Sequence, residues 1–580
     1  MSKGDPLALA LADGVGFGVA NGSGRWAVAA SNPAETARWV EQLDRDLRPR
    51  WVWWDNSVAS ALLRHGIRPS TCWDVAAVHR LLSGTWRAEP ASVWARANGL
   101  ASDGIPELGQ LDLLSAPVDD GGDPADPVLP DGHLRPEWCA GGWSADAERL
   151  AAWAEVAHCA MTLLTGQLST GRLRAGIASI GAVVALATAR SESAAELLAA
   201  ELAHDGLPID VDVATRLIEA SVGPRPRSDA DADAARTARD AIVLAHAPLG
   251  GGRDLRNPAN VKSMLQRVGV DVPDTRAWRL EEMRDGHPFV DALLTWRKAE
   301  RISTTFGYGW LEAHVGADGR LRGAWSASDG AAGRMTAQAG LHNLPADLRP
   351  AVIAEPGHVF VRADLGQIEL RVLAAVSGDQ QFASATQADD LYANVARRLG
   401  VDRPVAKIAV LAAMYGQTSG AAGQALRGLE AAYPVAMQYL REAEERGRRG
   451  EDIHTYGGRR VRMWQTRDDL EADQERSAVA GRGRYARNAV VQGAAAELFK
   501  VWAVTTRARL APMAARIVLC LHDELLVHAP EQQADAVAVA LHSSLDEAAH
   551  RWMPSPVGGP TRVRFVADVS VVQRWSDAKS

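Results

Sequence analysis

Lysine is almost missing from this sequence. Lys3, Lys262, Lys298, Lys407, Lys500 and Lys579 are the whole set, and the remaining basic charge is arginine. With the heavy alanine and glycine content this points to a G+C-rich genome, and it makes a lysine inside a helical stretch, such as Lys407, conspicuous. Cysteine is as scarce. Cys72, Cys139, Cys159 and Cys520 are scattered, with no CxxC and no Cys/His cluster, which argues against structural zinc and disulfides and for a reducing cytosol. No run of about 18 uncharged apolar residues occurs, so no membrane span is expected. The opening MSKGDPLALALADG has one lysine and a short apolar run broken by Asp13, a poor signal peptide. Internal repeats are absent too. The net charge of −8 neither predicts nor excludes nucleic-acid binding, which needs a local basic surface.

What is present is a chain of 580 residues, too long for one core, so two or three domains are expected. Residues 1–115 mix short apolar runs (WAVAA, WVWW) with helical patterns (ALLRHGI, VAAVHRLL) and read as α/β. Residues 116–146 are rich in Pro, Gly and Asp and read as a linker. Residues 147–220 have helical periodicity, and 222–256, with PRPRSDADAD and PLGGGRD, read as a second flexible connection. From 257 onward helices dominate, interrupted by strand signals at HVFVRADL (358–365), RIVLCLHDELLVHA (516–529) and TRVRFVADVSVV.

The second of these signals sets adjacent acids, Asp523 and Glu524, between two apolar runs. A hairpin with the acids at its tip is an ordinary polar turn or half of a metal site. HVFVRADLGQIELRVL offers the other half: a short strand reaching Asp364, then a helix pattern. Asp364 alone reads equally as a helix cap. If the two strands share a sheet, Asp364 and Asp523 can hold two magnesium ions ~4 Å apart, an arrangement suited to phosphoryl or nucleotidyl transfer. Such chemistry needs cations for the phosphates. In DRPVAKIAVLAAMYG, Arg403, Lys407, Leu411 and Tyr415 recur every four residues, and each step turns only ~40°, so they share one stripe of a helix. The helix is amphipathic with two solvated cations, or it grips phosphates.

The three segments resemble, in order, motifs A, B and C of family A DNA polymerases. Motif A, DYSQIELR, is Asp364 to Arg371; motif B, RxxxKxxxFxxxYG, is Arg403, Lys407, Leu411, Tyr415 and Gly416; motif C is His522, Asp523 and Glu524. RYARNAVVQG matches R-x3-N-x3-Q-G through Arg484, Asn488 and Gln492, and GRMTAQAGLHNLP resembles GRLSS…NLQNIP through Arg334, Leu341, Asn343 and Pro345. ESAAELLAAELAHDGLPIDVD (192–212) is similar to the start of the polymerase region, so the likeness covers roughly residues 190–580.

The resemblance implies template-directed DNA synthesis from dNTPs on a DNA primer-template duplex. Asp364 and Asp523 would ligate two Mg²⁺ ions, with Mn²⁺ as an alternative, and Glu524 would be an auxiliary acid. Arg403 and Lys407 would hold the triphosphate, Lys407 also protonating the leaving pyrophosphate. Gln367, Leu411 and Tyr415 would line the nucleotide site, and Glu369 would exclude a ribose 2′-OH. Arg371 and His522 would meet DNA, His522 near the primer end. Arg334, Asn343, Arg484, Asn488 and Gln492 would meet the duplex too. Minor-groove acceptors are nearly alike in all base pairs, so donors there check geometry without reading sequence. The implied fold is an α/β exonuclease-like (RNase H-like) N-terminal domain, 1–165, a helical connection, 166–256, and an α+β right hand, 257–580. Its thumb is expected at about 257–310, its palm at about 320–380 and 485–580, and its fingers at about 381–484. A cytoplasmic, nucleoid-associated monomer without a membrane or a 5′-nuclease domain is expected.

Departures accompany the likeness. Leu365 and Gly366 replace Tyr and Ser of motif A, Leu411 replaces the motif B aromatic, and Tyr392 stands where the family has His. In the exonuclease-like region Asn56 fits NxxxD, but Ser60 takes the place of its Asp. No DxE occurs near the N-terminus, and the first tyrosine is Tyr308, so YxxxD is absent. Loss of 3′–5′ hydrolysis is expected. The rival readings are a non-catalytic DNA-binding paralogue and a 3′–5′ exonuclease.

Overall fold

The computed structural model describes residues 2–102, 105, 123–169, 182–247, 252–415, 421–465, 471–553 and 563–578. The chain divides into two units: 1–205 with 324–336 and 360–571, and 206–323 with 337–359 and 572–580. No helix among the described residues is long and apolar enough to cross a membrane.

The first unit opens with a five-stranded sheet ordered Gly24–Ala29, Gly16–Asn21, Pro6–Ala12, Arg50–Trp53, Cys72–Asp74. Pro6–Ala12 runs antiparallel to Gly16–Asn21 and parallel to Arg50–Trp53, which is parallel to Cys72–Asp74. The first strand, PLALALA, alternates leucine and alanine, and the period of two sends them to opposite faces. Leu7 and Leu9 bury with Trp51, Trp53 and Leu62. Ala8 and Ala10 lie on the other face with Val52, Trp54, Trp138 and Trp153. That face carries small residues so that the helix Ala147–Ser169 can lie directly on it. A Cβ at Gly18 would stand 2.1 Å from the Ala151 nitrogen, so only glycine fits there.

The same unit holds a four-stranded sheet ordered Arg516–Leu521, Glu524–Pro530, His358–Leu365, Ala567–Val572. Around it are the helices Ile368–Ser377, Leu391–Leu399, Arg403–Tyr415, Pro434–Arg449 and Ala472–Leu510, the last 39 residues long. Leu370, Leu373, Val395, Val410, Met414, Leu440 and Val490 bring these five helices into one core. The three strand signals read from sequence fall on strands of this sheet. The short pairs Ile453–His454 with Arg460–Val461 and Trp325–Asp329 with Arg334–Ala337 carried no periodic signal.

The second unit is mostly helical: Val211–Val222, Asp229–Leu244, Pro258–Arg267 and Pro288–Thr305 are its longest helices. Val243, Met264, Leu265, Phe289, Leu293 and Trp296 form its core. The connection expected at 222–256 in fact contains a 16-residue helix, Asp229–Leu244. Ser228 caps its start by accepting from the Asp231 N–H, and Asp229 and Asp231 sit in the first turn, where the helix dipole favours acids. Asp240 then anchors it to Arg256 at 2.7 Å and to Trp296 Nε1 at 2.8 Å.

Candidate active site

Two strand ends bring the acids together. His358–Leu365 carries Asp364 near its end, and the helix Ile368–Ser377 follows. Gln367, in the left-handed region at φ 57°, occupies the cap position of that helix, so Asp364 does not cap it. On the neighbouring ribbon, Leu521 pairs with Glu524 across a two-residue turn formed by His522 and Asp523. His522 has φ 38°, a conformation such tight turns demand and histidine tolerates better than most residues. The Leu365 N–H donates to the Asp523 carbonyl at 2.8 Å, which fixes the two aspartates on adjoining strand ends.

Their carboxyls feel each other. Burial pushes the Asp523 carboxyl up to about 6, and the Asp364 charge adds to that. Burial also raises Asp364; Arg362 draws it back, while Glu524 and Asp568 push it up. Hard carboxylate oxygens, those of Asp523 raised by the Asp364 charge, suit a divalent cation, which would relieve the repulsion. Asp364 and Asp523 could therefore hold a divalent cation.

Arg362 and Asp390 escaped the sequence reading. Arg362, two residues before Asp364, shares its face of the strand. Its guanidinium donates to Asp364 Oδ2 at 2.8 Å and, through Nε, to Glu524 Oε2 at 2.7 Å. Its side chain is only 6% exposed. Glu524 is thus paired internally. The available signal was an arginine within a strand otherwise reading as buried. Asp390 caps Leu391–Leu399 and also accepts from Gln367 Nε2 at 3.1 Å and Arg403 Nε at 2.6 Å. Gln367 Oε1 accepts from the Leu391 N–H at 2.9 Å, so this side chain is a strut between two helices.

Arg403 and Lys407 are exposed on their helix and Leu411 is half-buried, whereas Ala406, Val410, Ala413 and Met414 face the core. The stripe read from the four-residue spacing is the outer face. Arg403 also lies over the Tyr392 ring, 5.7 Å from its centre. The Tyr415 side chain and Gly416 lie outside the described residues. Arg334 Nη2 and Glu369 Oε1 pair at 3.0 Å, and burial raises the Glu369 carboxyl while Arg334 opposes the rise. Arg484, Asn488 and Gln492 line one outward stripe of Ala472–Leu510, Arg484 the most exposed. Asn343 belongs to the second unit and is exposed in a short turn, its carbonyl accepting from Arg301.

Arg371 requires a correction. It was expected to meet DNA, but it is 0% exposed. Its guanidinium donates to the carbonyls of Gly366, Thr386, Arg564, Ala388 and Asp389 at 2.6–2.9 Å. Five planar donors meet five acceptors, so it staples three segments and has nothing left for a phosphate. Burial lowers its pKa to about 10.

In the N-terminal sheet the first strand has no carboxylate at all. Ser60 donates to the Asn56 carbonyl at 3.1 Å, and Asn56 Nδ2 donates to Glu196 at 2.9 Å. Asp74 is fully buried, capping Val75–Ser83 and accepting from Trp53 Nε1 at 3.1 Å. Burial raises the carboxyls of both Asp74 and Glu196.

Comparison with known proteins agrees with this geometry. The model of DNA polymerase family A matches residues 257–577. DNA polymerase I of Chloroflexus aurantiacus is 33% identical over 289 residues, 45% of this chain and 30% of that protein. The thermostable DNA polymerase I of Thermus aquaticus is 31% identical over 333 residues, 53% of this chain and 38% of that protein. The chain thus matches only about a third of these relatives' length. The POL domain of Pol1 from M. smegmatis, solved in complex with DNA primer-template and dNTP, shares the fold. Its TM-score is 0.68 at 19% identity, over 100% of this chain and 97% of that one. With more than half its length on the family pattern, and with the motif A and motif C segments on adjoining strands of one sheet, this chain is a member of DNA polymerase family A.

Proposed function

We propose that the chain extends a DNA primer along its template by nucleotidyl transfer from dNTPs. The observation that carries this reading is the pairing of Asp364 and Asp523 on adjoining strand ends, linked through Gln367 and Asp390 to the helix that presents Arg403 and Lys407. Divalent ions bound by the two aspartates would activate the primer 3′-OH and steady the leaving group. Arg403 and Lys407 would take the triphosphate, Arg403 exchanging its Asp390 partner for phosphate. Lys407, exposed and without a bridging carboxylate among the described residues, would supply the proton for pyrophosphate. Glu369, held by Arg334, would stand against a 2′-OH. Arg484, Asn488 and Gln492 would offer donors to the minor groove of the product duplex. Asp364 and Asp523 would need Mg²⁺, or Mn²⁺ in its place.

Within this reading the right hand spans 257–580 and the 1–165 region is a degenerate RNase H-like exonuclease domain. The sheet order and the mixture of two antiparallel and two parallel pairings support the latter. Asp74 serves as a cap and a buried partner, and Ser60 stands where the NxxxD pattern has its acid, which supports loss of hydrolysis. A second reading, a DNA-binding paralogue without catalysis, is favoured by Leu365, Gly366 and Leu411. It predicts duplex binding without extension. The test is primer extension with Mg²⁺ and four dNTPs. Extension is expected, and Asp364→Ala and Asp523→Ala should each abolish it while leaving duplex binding in place. Binding with no extension by the unaltered protein would decide for the paralogue.

A further inference from the structure

We propose that Arg362 is a built-in cation that withholds Asp364 and Glu524 from divalent metal and so sets the metal demand of the site. This rests on the polymerase reading of the two aspartates. A guanidinium bonded to Asp364 at 2.8 Å and Glu524 at 2.7 Å takes up lone pairs that an ion would use. It also sets a fixed positive charge a few ångströms from the position where a doubly charged ion must settle. Both effects oppose metal binding. The fork shape matters, because one Arg362 nitrogen, Nη2, bonds both carboxylates. The side chain is buried and held on both sides, so it competes at all times and is not diluted by solvent.

The sign of the effect separates competition from a structural role. A side chain that merely held the strands would, on removal, loosen the aspartates and weaken metal binding. Removal of a competitor tightens it. The experiment is Mn²⁺ binding to the metal-free full chain, with free Mn²⁺ read by electron paramagnetic resonance. It is run on the unaltered protein, Arg362→Gln and Arg362→Met, either of which decides alone once circular dichroism shows it folded. The Mn²⁺ Kd is expected to fall at least about tenfold, the scale set by removing a unit charge next to a divalent ion at a half-buried site. A fall of less than about threefold, or a rise, overturns the proposal. Asp364→Asn in the same assay guards the foundation. Its loss of Mn²⁺ binding upholds the aspartates as ligands whatever Arg362 does, and unaltered binding would overturn both readings.

Discussion

Leu411 lies on the outward stripe of its helix, about two turns beyond Arg403, and is half-buried where Ala413 and Met414 are fully so. Under the polymerase reading an incoming base meets an aliphatic side chain there, with no ring face to stack on. Aromatic contacts contribute about 0.5–1.5 kcal/mol beyond their area. Leu411→Phe is therefore expected to lower the dNTP KM about two- to tenfold in steady-state extension, with kcat nearly unchanged. An equal or higher KM would show that position 411 does not touch the nucleotide. At this scale the sequence was legible where a charge was costly. Acids set between apolar runs must be paid for by a partner, and that logic led from Asp523 to Asp364. It failed for Arg371, because a motif says that a residue type is needed and not which way it points. A guanidinium that meets five carbonyls and one that meets phosphates look alike in the sequence. Arg362 was visible as a charge in a buried strand, but its partner Glu524 is 162 positions away.

Among the elements, the helix Ala472–Leu510 depends on a lysine that its own pattern hides. Scarcity drew attention to Lys407, which proves exposed; the buried one is Lys500, 0% exposed. Its Nζ meets Glu192 at 2.5 Å and donates to the Gly333 carbonyl at 2.8 Å. Arg459 reaches the same Glu192 from the opposite side at 2.5 Å. Two cations on one carboxylate tie three separate stretches of the first unit, and burial lowers the Lys500 pKa to about 8. Breaking such a pair leaves carbonyl and carboxylate oxygens without a donor. Lys500→Met is expected to cost about 3–5 kcal/mol, read as a lower urea midpoint of the unfolding transition. An unchanged midpoint would mean that Arg459 alone neutralises Glu192. Helical and strand periodicities announced the long elements here, as they did PLALALA with its two faces. The helix Asp229–Leu244 was obscured because its Ser and Asp residues serve both turns and helix starts, and only the Ser228 cap resolves the choice.

For the whole molecule, the question is whether one chain makes DNA without also trimming it. Hydrolysis at the N-terminal sheet would need carboxylates free to take a metal. The first strand has none, Asp74 is occupied by Trp53 and by the Ala77 N–H, and Glu196 is occupied by Asn56. Burial raises both of these carboxyls, which disfavours the charged form that a metal ion would need. Asp13 is solvent-accessible and turned toward Arg64 and His65 at 3.7 Å. A 3′-labelled primer-template incubated with Mg²⁺ and no dNTPs is therefore expected to stay full length over the time in which added dNTPs drive complete extension. Shortening of the primer would contradict this, and the variant Asp364→Ala would locate its source. Shortening that persists in that variant would come from acids outside the central sheet and would return the N-terminal sheet to the list of catalytic centres. Shortening that disappears would belong to the aspartate pair itself, acting by hydrolysis with water as the nucleophile, since the reverse of nucleotidyl transfer needs pyrophosphate, which this mixture lacks.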